Sequence, residues 1–323
     1  MRADPRDDQH LYVLGIQFHH SDNSGATFLA TRGRSVHPDH HALWVDPDDG
    51  DHLLLGNDGG LYVTWDRGQS WEAQDKLPIG QFYDVGVSRG RPYWVIGGLQ
   101  DNGTWGGPNE SRRRHGVPTD LWLDLNGGDG FHAAFDPDDP NVYYAESQNG
   151  VLARGDLVTG DGREIKPDDG RMNWNTSFLI SLHNSRTLFI AGSRVWKSVD
   201  RGDHWTAISP EISRTPRGTA TALAESPDEP GVVYVGSDDG ALWGTRDGGQ
   251  NWESLAEKVQ GLPGPRYVSD LECRRGAPSV LFAAFDGHRS DDDQPWLFRS
   301  DDYGKSFRRT TDGLPAQLVR CFV

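Results

Sequence analysis

Residues 37–71 read HPDHHALWVDPDDGDHLLLGNDGGLYVTWDRGQSW, a stretch with no helical spacing of its apolar positions. Short apolar runs separated by Asp/Gly/Pro clusters divide it into strands and turns. ALWVDP reads as an inner strand, DHLLLGN as the second, GLYVTW as the third and SWEAQ, running to Gln74, as the outer one. DPDDG, DGG and DRGQ are the turns between them.

The end of that unit recurs. The octet Ser/Thr-x-Asp-x-Gly-x-x-Trp/Phe appears as TWDRGQSW (Thr64 to Trp71), SVDRGDHW (Ser198 to Trp205), TRDGGQNW (Thr245 to Trp252) and SDDYGKSF (Ser300 to Phe307). A second marker recurs as WVDPDDGDHLLLGN, AFDPDDPNVYYAES and AESPDEPGVVYVGS; its prolines, Pro47, Pro137 and Pro227, stand 90 residues apart. That is two periods of about 45 residues, the length of one four-stranded propeller blade. The octet then lies on the hairpin between third and fourth strands. Asp66, Asp200, Asp247 and Asp302 are expected to be structural: the Asp accepts backbone N–H groups across the turn, the Gly supplies positive φ, and the Trp covers the blade's outer edge.

Composition agrees. Forty Gly, 19 Pro and 33 aromatic residues in 323 favour many strands and tight turns. The formal net charge of −16 works against a nucleic-acid partner or an anionic membrane surface. No run approaches the roughly 18 apolar residues of a membrane-spanning helix, and the opening MRADPRDDQH has no apolar stretch of the signal-peptide kind. Cys273 and Cys321 are too few for a disulfide framework or a thiolate cluster.

Inner strands start near residues 42, 80, 129, 173, 219 and 267, which makes six units. Residues 11–29 read as the last two strands of a further blade, and AQLVRCFV at 316–323 as its inner strand. Pairing them predicts an all-β, seven-bladed β-propeller of four-stranded antiparallel blades, a single domain over 1–323, with two strand edges removed by closure. The same ends also fit a segment of a longer multi-propeller protein. HSDNSGATF carries Asn23 where the octet has Asp, and GGLQDNGTW and VLARGDLVTG lack the octet. Those blades are expected to close through different loops.

The octets, with HPDHHALWVDP, LPIGQFYDVGV and GGLQDNGTWGGP, resemble the Asp-box (BNR) repeat β-propeller family, related to sortilin-type and to xyloglucanase- and sialidase-type propellers. The resemblance spans essentially the whole chain and implies the fold more specifically than an activity. It implies a secreted or cell-envelope setting. In xyloglucanase-type relatives the catalytic cleft lies between two propellers, so a second propeller domain would be a partner.

Ligand sites in propellers gather where loops lead into inner strands. Here those segments are HPDHHALW, IGQFYDVGV, GGDGFHAAF, RMNWNTSF, RGTATALAE and RYVSDLE. Their aromatic, amide and carboxyl groups suit a glycan or a peptide. His40, Tyr83, Gln100, Asp101, Asp129, His132, Trp174, Asn175, Arg266 and Tyr267 are expected around the principal pocket. If the protein is a glycoside hydrolase, Asp129 and Asp270 are the candidate acid and base, with Asp39, Asp84 and Asp101 as further carboxylates. A sialidase-like reading would use Arg171, Arg217, Arg266 and Arg320. His37, Asp39, His40 and His41, with His19 and His20, are the best metal candidates, but neighbours on a strand point to opposite faces, so no metal is assigned. The acidic insertion HRSDDDQPW (288–296) could hold Ca²⁺ or form a solvated hairpin tip. The insertion NESRRRHGVPTDLW (109–122) reads as a long loop over one face.

Overall fold

The computed structural model describes residues 1–30, 36–74, 80–168, 170–315, 317 and 319. They form seven four-stranded antiparallel sheets, each laid down in chain order. Seven such sheets on a blade-length repeat make the fold an all-β, seven-bladed β-propeller. No helix of the described residues is long and apolar enough to cross a membrane. The chain divides into two compact units, Met1–Gln81 with Gln100–Asn102, and Phe82–Leu99 with Gly103–Val323.

In the first unit the second sheet follows its sequence: His40–Val45, Leu53–Asn57, Gly60–Thr64 and Glu72–Ala73. Leu43, Leu53, Leu55 and Tyr62 bury one face of it against Tyr12 and Phe18, with Trp71 at the edge. Each buried side chain of this size contributes about 1.5–3 kcal/mol. The first sheet corrects the reading of residues 11–29 as two strands. LYVLGIQF bends at residues 15–17, so Leu11–Val13, His19–Ser21 and Leu29–Ala30 are separate strands. Arg2–Ala3 lies beside Leu11–Val13 as the fourth, with Arg2 opposite Tyr12. Of the strand expected at 316–323, all residues but Gln317 and Val319 lie outside the described residues.

In the second unit, inner strands begin at Phe82, Ala133, Phe178, Ala220 and Tyr267, within a few residues of expectation. The interface between the last two sheets is representative: Tyr234, Leu242 and Leu255 pack against Val268, Leu271, Phe285 and Phe298. The third sheet closes through the 109–122 insertion, where Arg113 pairs with Asp120 at 2.9 Å. The fourth closes through a turn in which Asp156 Oδ1 accepts the N–H groups of Val158 and Thr159. Both therefore use different loops, as their sequences imply.

The octet turns share one hydrogen-bond pattern. Thr64 Oγ1 donates to Asp66 Oδ1 at 2.7 Å and accepts the Gly68 N–H at 3.0 Å, and Asp66 Oδ1 accepts the Ser70 N–H at 2.8 Å. The pattern repeats at Ser198–Asp200–Gly202, Thr245–Asp247–Gly249 and Ser300–Asp302–Gly304. It also repeats at Ser21, Asn23 and Gly25, which corrects the expectation of a different loop there. The turn needs an acceptor oxygen at that position, and an amide supplies one.

Two further contacts carry each octet backwards along the chain. The octet glycine lies so close to the preceding sheet that a Cβ on Gly202, Gly249 or Gly304 would meet Ile165, Ile208 or Leu255 at 2.5–2.8 Å. The octet Trp, expected to cover its own blade's edge, instead donates its indole N–H to the preceding blade: Trp205 to Ile165 O, and Trp252 to Ile208 O at 2.6 Å. The fourth octet residue, held at φ near +60°, completes the clamp. Arg67 reaches the buried Asp4 at 3.6 Å, Arg201 the buried Asp136 at 2.9 Å, and the Tyr303 hydroxyl donates to Glu229 at 3.0 Å.

Hydrogen bonds from Ser70, Asn251 and Ser306, by side chain and N–H together, hold Asp66, Asp247 and Asp302 down at about 2. A depressed carboxyl contributes stability above its ordinary range near 4, and that contribution is lost as pH falls through about 2. Asp302→Ala is expected to lower the melting temperature by about 2–4 °C, the effect of one lost cap. Asp302→Asn should lose less than half of that at pH 7, and its deficit should vanish near pH 2. Calorimetry across pH checks both; equal losses in the two variants at pH 7 would show that charge, not acceptor geometry, holds the turn.

Candidate functional site

Three loops of the second unit, each leading into or lying on an inner strand, bring aromatic rings together. Tyr83 lies on Phe82–Val87, Phe131 just before Ala133–Phe135, and Trp174 just before Phe178–Ile180. The ring centroids of Tyr83 and Phe131 are 4.7 Å apart, those of Phe131 and Trp174 also 4.7 Å, and those of Tyr83 and Trp174 6.3 Å. Phe131 is fully buried, whereas Tyr83 is 38% and Trp174 46% exposed. One sequestered ring thus props up two that face solvent, which is costly unless the exposed faces find a partner.

Polar groups rim this platform. His132 Nδ1 lies 3.1 Å from Asp84 Oδ2. Burial works to raise the Asp84 carboxyl, but the His132 hydrogen bond and charge, with the N–H groups of Val85 and Ala133, overcome it and hold the carboxyl below its usual range. Asp129 is buried and accepts a 2.7 Å hydrogen bond from Gln148 Nε2. Asn149 N–H donates to Trp174 O at 3.1 Å, and Asn173 Nδ2 donates to Thr219 Oγ1 at 2.9 Å. Five expected residues, Tyr83, Asp129, His132, Trp174 and Asn175, therefore fall on adjoining loops.

Behind the platform lies a residue that sequence reading missed. Glu146, on Val142–Ser147, is fully buried. Its Oε1 accepts the Thr176 N–H at 3.2 Å, and its Oε2 has no hydrogen-bond partner among the described residues. Its own backbone accepts from Phe131 N–H and donates to His132 O. It therefore joins the loop that carries Phe131 to the loop that carries Trp174. Burial pushes its carboxyl up to about 9, against a smaller opposing pull from backbone N–H groups, so it is protonated at neutral pH. The available signal was one carboxylate inside the apolar strand VYYAES.

Other expected residues sit elsewhere. His40, Gln100 and Asp101 belong to the first unit. His40 is buried edge-on to Phe18, and that burial lowers its pKa. His41, its neighbour on the strand, is exposed and pairs with Asp58 at 2.5 Å. Asp270 Oδ1 accepts the Leu271 N–H at 2.8 Å. Arg266 is engaged by Asp292 at 3.2 Å, Arg289 lies over the Tyr267 ring at 5.1 Å, and Trp296 Nε1 donates to Asp292 at 2.9 Å. Asp292 and Arg289 thus tie the acidic insertion to Arg266 and Tyr267, while residues 288–291, Asp293 and Gln294 stand exposed as the expected solvated tip. Arg171 pairs with Glu211, and Arg320 lies outside the described residues. No group of three or more metal-ligating side chains is present among the described residues. A cleft of about 600 Å³ opens between the Asp156–Gly162 turn and the Asp200 octet. It contains none of the expected ligand-binding residues.

No family model matches the chain, and no curated protein matches it. Among solved structures it is similar to the GH74 xyloglucanase from Xanthomonas campestris, at 16% identity over 95% of this chain, with a TM-score of 0.36. The chain spans 59% of that enzyme's length. It is also similar to YCF48 from Cyanidioschyzon merolae, at 16% identity over 87% of this chain and 86% of that one, TM-score 0.48. YCF48 bound to D1 peptide matches at 15% identity over 86% and 87%, TM-score 0.44. No residue of the site is carried over from any of these.

The raised Glu146 carboxyl has a definite pH signature. The folded chain keeps a proton that the unfolded chain releases near its ordinary value of 4.5, so this group lowers stability progressively from there to about 9 and adds no further loss above it. Glu146→Gln is expected to gain stability relative to the parent as pH rises from 5 to 9, by several °C at the upper end. Urea unfolding at pH 5, 7 and 9 measures this. A pH-independent difference between the two proteins would show that Glu146 is ionised in the fold.

Proposed function

We propose that the chain is a recognition propeller of the Asp-box type, and that the Tyr83–Phe131–Trp174 platform binds a glycan. The exposure of Trp174 and Tyr83 over a buried Phe131 carries the reading. A pyranose ring offers a C–H face to an aromatic ring and hydroxyls to flanking carboxylates and imidazoles, here Asp84 and His132. The five octet turns with one hydrogen-bond pattern support the family reading. A peptide is the competing ligand for the same platform.

The second reading is glycoside hydrolysis. It needs one carboxyl poised as acid and another as base or nucleophile across a bond. Asp84 is committed to His132, Asp129 to Gln148, and Glu146 is sealed from solvent. These commitments favour binding without turnover.

Xyloglucan oligosaccharides and cello-oligosaccharides are suitable probes, with titration calorimetry and reducing-sugar release as the two readouts. Binding is expected without release of reducing ends, and Trp174→Ala should weaken it about tenfold or more, as for loss of one stacking face. Turnover by the parent that Asp129→Asn abolishes would overturn the recognition reading in favour of hydrolysis.

A further inference from the structure

We propose that Glu146 is a positioning residue of the aromatic platform: its buried carboxyl latches the turn that carries Trp174 to the strand behind Phe131, and the rings keep their spacing only while that latch is closed. The latch deepens the glycan reading and rests on it only for its effect on a ligand.

Bonds inside the turn at residues 173–176 give it shape without placing it. Asn173 Oδ1 accepts the Asn175 N–H at 3.1 Å, and Thr176 Oγ1 donates to Asn173 O at 2.6 Å. Bonds to neighbouring sheets place it. On one side Asn173 Nδ2 donates to Thr219 Oγ1 at 2.9 Å. On the other, the segment 146–150 grips it twice: Asn149 N–H donates to Trp174 O at 3.1 Å, and Glu146 Oε1 accepts the Thr176 N–H at 3.2 Å.

The same residue anchors the ring beneath. Glu146 O accepts the Phe131 N–H at 3.0 Å, and Glu146 N–H donates to His132 O at 2.9 Å. Glu146 thus holds the Phe131 loop by its backbone and the Trp174 turn by its side chain, so only the second hold answers to protonation.

The carboxyl sits where a charge has no support. Its ladder partner is the fully buried Leu152, and Tyr144, two residues earlier on the strand, is fully buried as well. Charged groups on the elements around it are engaged elsewhere: Asp129 with Gln148, His132 with Asp84, Arg154 with Asp203, Arg171 with Glu211 and Asp238 with Thr219. Burial pushes the Tyr144 hydroxyl well above its ordinary range, so it stays neutral while Glu146 titrates. Below about pH 9 the neutral carboxyl offers Thr176 an acceptor oxygen; the carboxylate formed above that must reach water, which moves the 173–176 turn away. At pH 10 the closed latch is about one-tenth populated, so an affinity that needs both rings falls about tenfold.

Tryptophan fluorescence of the full chain from pH 7 to 10 tests the latch, with Trp174→Phe scanned in parallel so that the difference isolates Trp174. That signal is expected to change with a midpoint near pH 9. It should stay flat in Glu146→Gln, whose amide oxygen accepts from Thr176 at every pH. Affinity for cello-oligosaccharides should fall about tenfold between pH 8 and 10 in the parent and stay within twofold in Glu146→Gln. Far-UV circular dichroism at pH 10 reports whether the blades persist. Where they do not, Glu146→Ala at pH 7, which removes the acceptor, is expected to show the open Trp174 signal. A flat signal in the parent, an equal change in Glu146→Gln, or an unmoved signal in Glu146→Ala overturns the latch. A change that Glu146→Gln abolishes, in a protein that binds no glycan at pH 7, supports the latch and overturns the glycan reading instead.

Discussion

Five of the seven blades are fastened through one hydroxyl at the head of their closing turn. The Ser or Thr Oγ both donates a hydrogen bond to the Asp or Asn oxygen and accepts one from the glycine N–H, so it locks a hairpin that would otherwise be free to splay. Once locked, the fourth residue is driven to positive φ and aimed at the neighbouring blade, where Arg67, Arg201 and Tyr303 each find a carboxylate. A local turn is thereby converted into a long-range fastening, and the outer strands of the blades that carry the turn, each two residues long, need no extensive ladder of their own.

Much of this was legible in the residues. The 45-residue period, the octets and the short apolar runs between Asp/Gly/Pro clusters located the sheets and their order, because period and turn chemistry are local properties. What the octets grip was not legible. That Trp205 would donate to Ile165, or Arg201 reach Asp136, depends on how one blade lies on the next, and no local pattern encodes the spacing. The first sheet shows the same limit: the bend after Val13 turns one apparent strand into two, and two residues at the chain's start supply the fourth.

The site was legible to a similar depth. Loop position alone pointed to Tyr83, Asp129, His132 and Trp174, and these do share adjoining loops. It did not point to Phe131, whose ring supports the other two, nor to Glu146, which fastens the loops behind them. Both are buried, and burial is a property of the assembled blades. Arg266 and Tyr267 show the converse error: residues of the right chemistry in the right place, already engaged by Asp292 and Arg289.

The fastenings of the octets also have a direction. Trp205 and Arg201 reach back to the fourth sheet, Trp252 to the fifth, Tyr303 to the sixth and Arg67 to the first; in every case the gripping residue follows its partner in the chain. During synthesis from the N-terminus, each of these blades therefore emerges with its anchorage already made. Assembly can proceed one blade at a time, holding few unpaired edges exposed while later blades are still being translated.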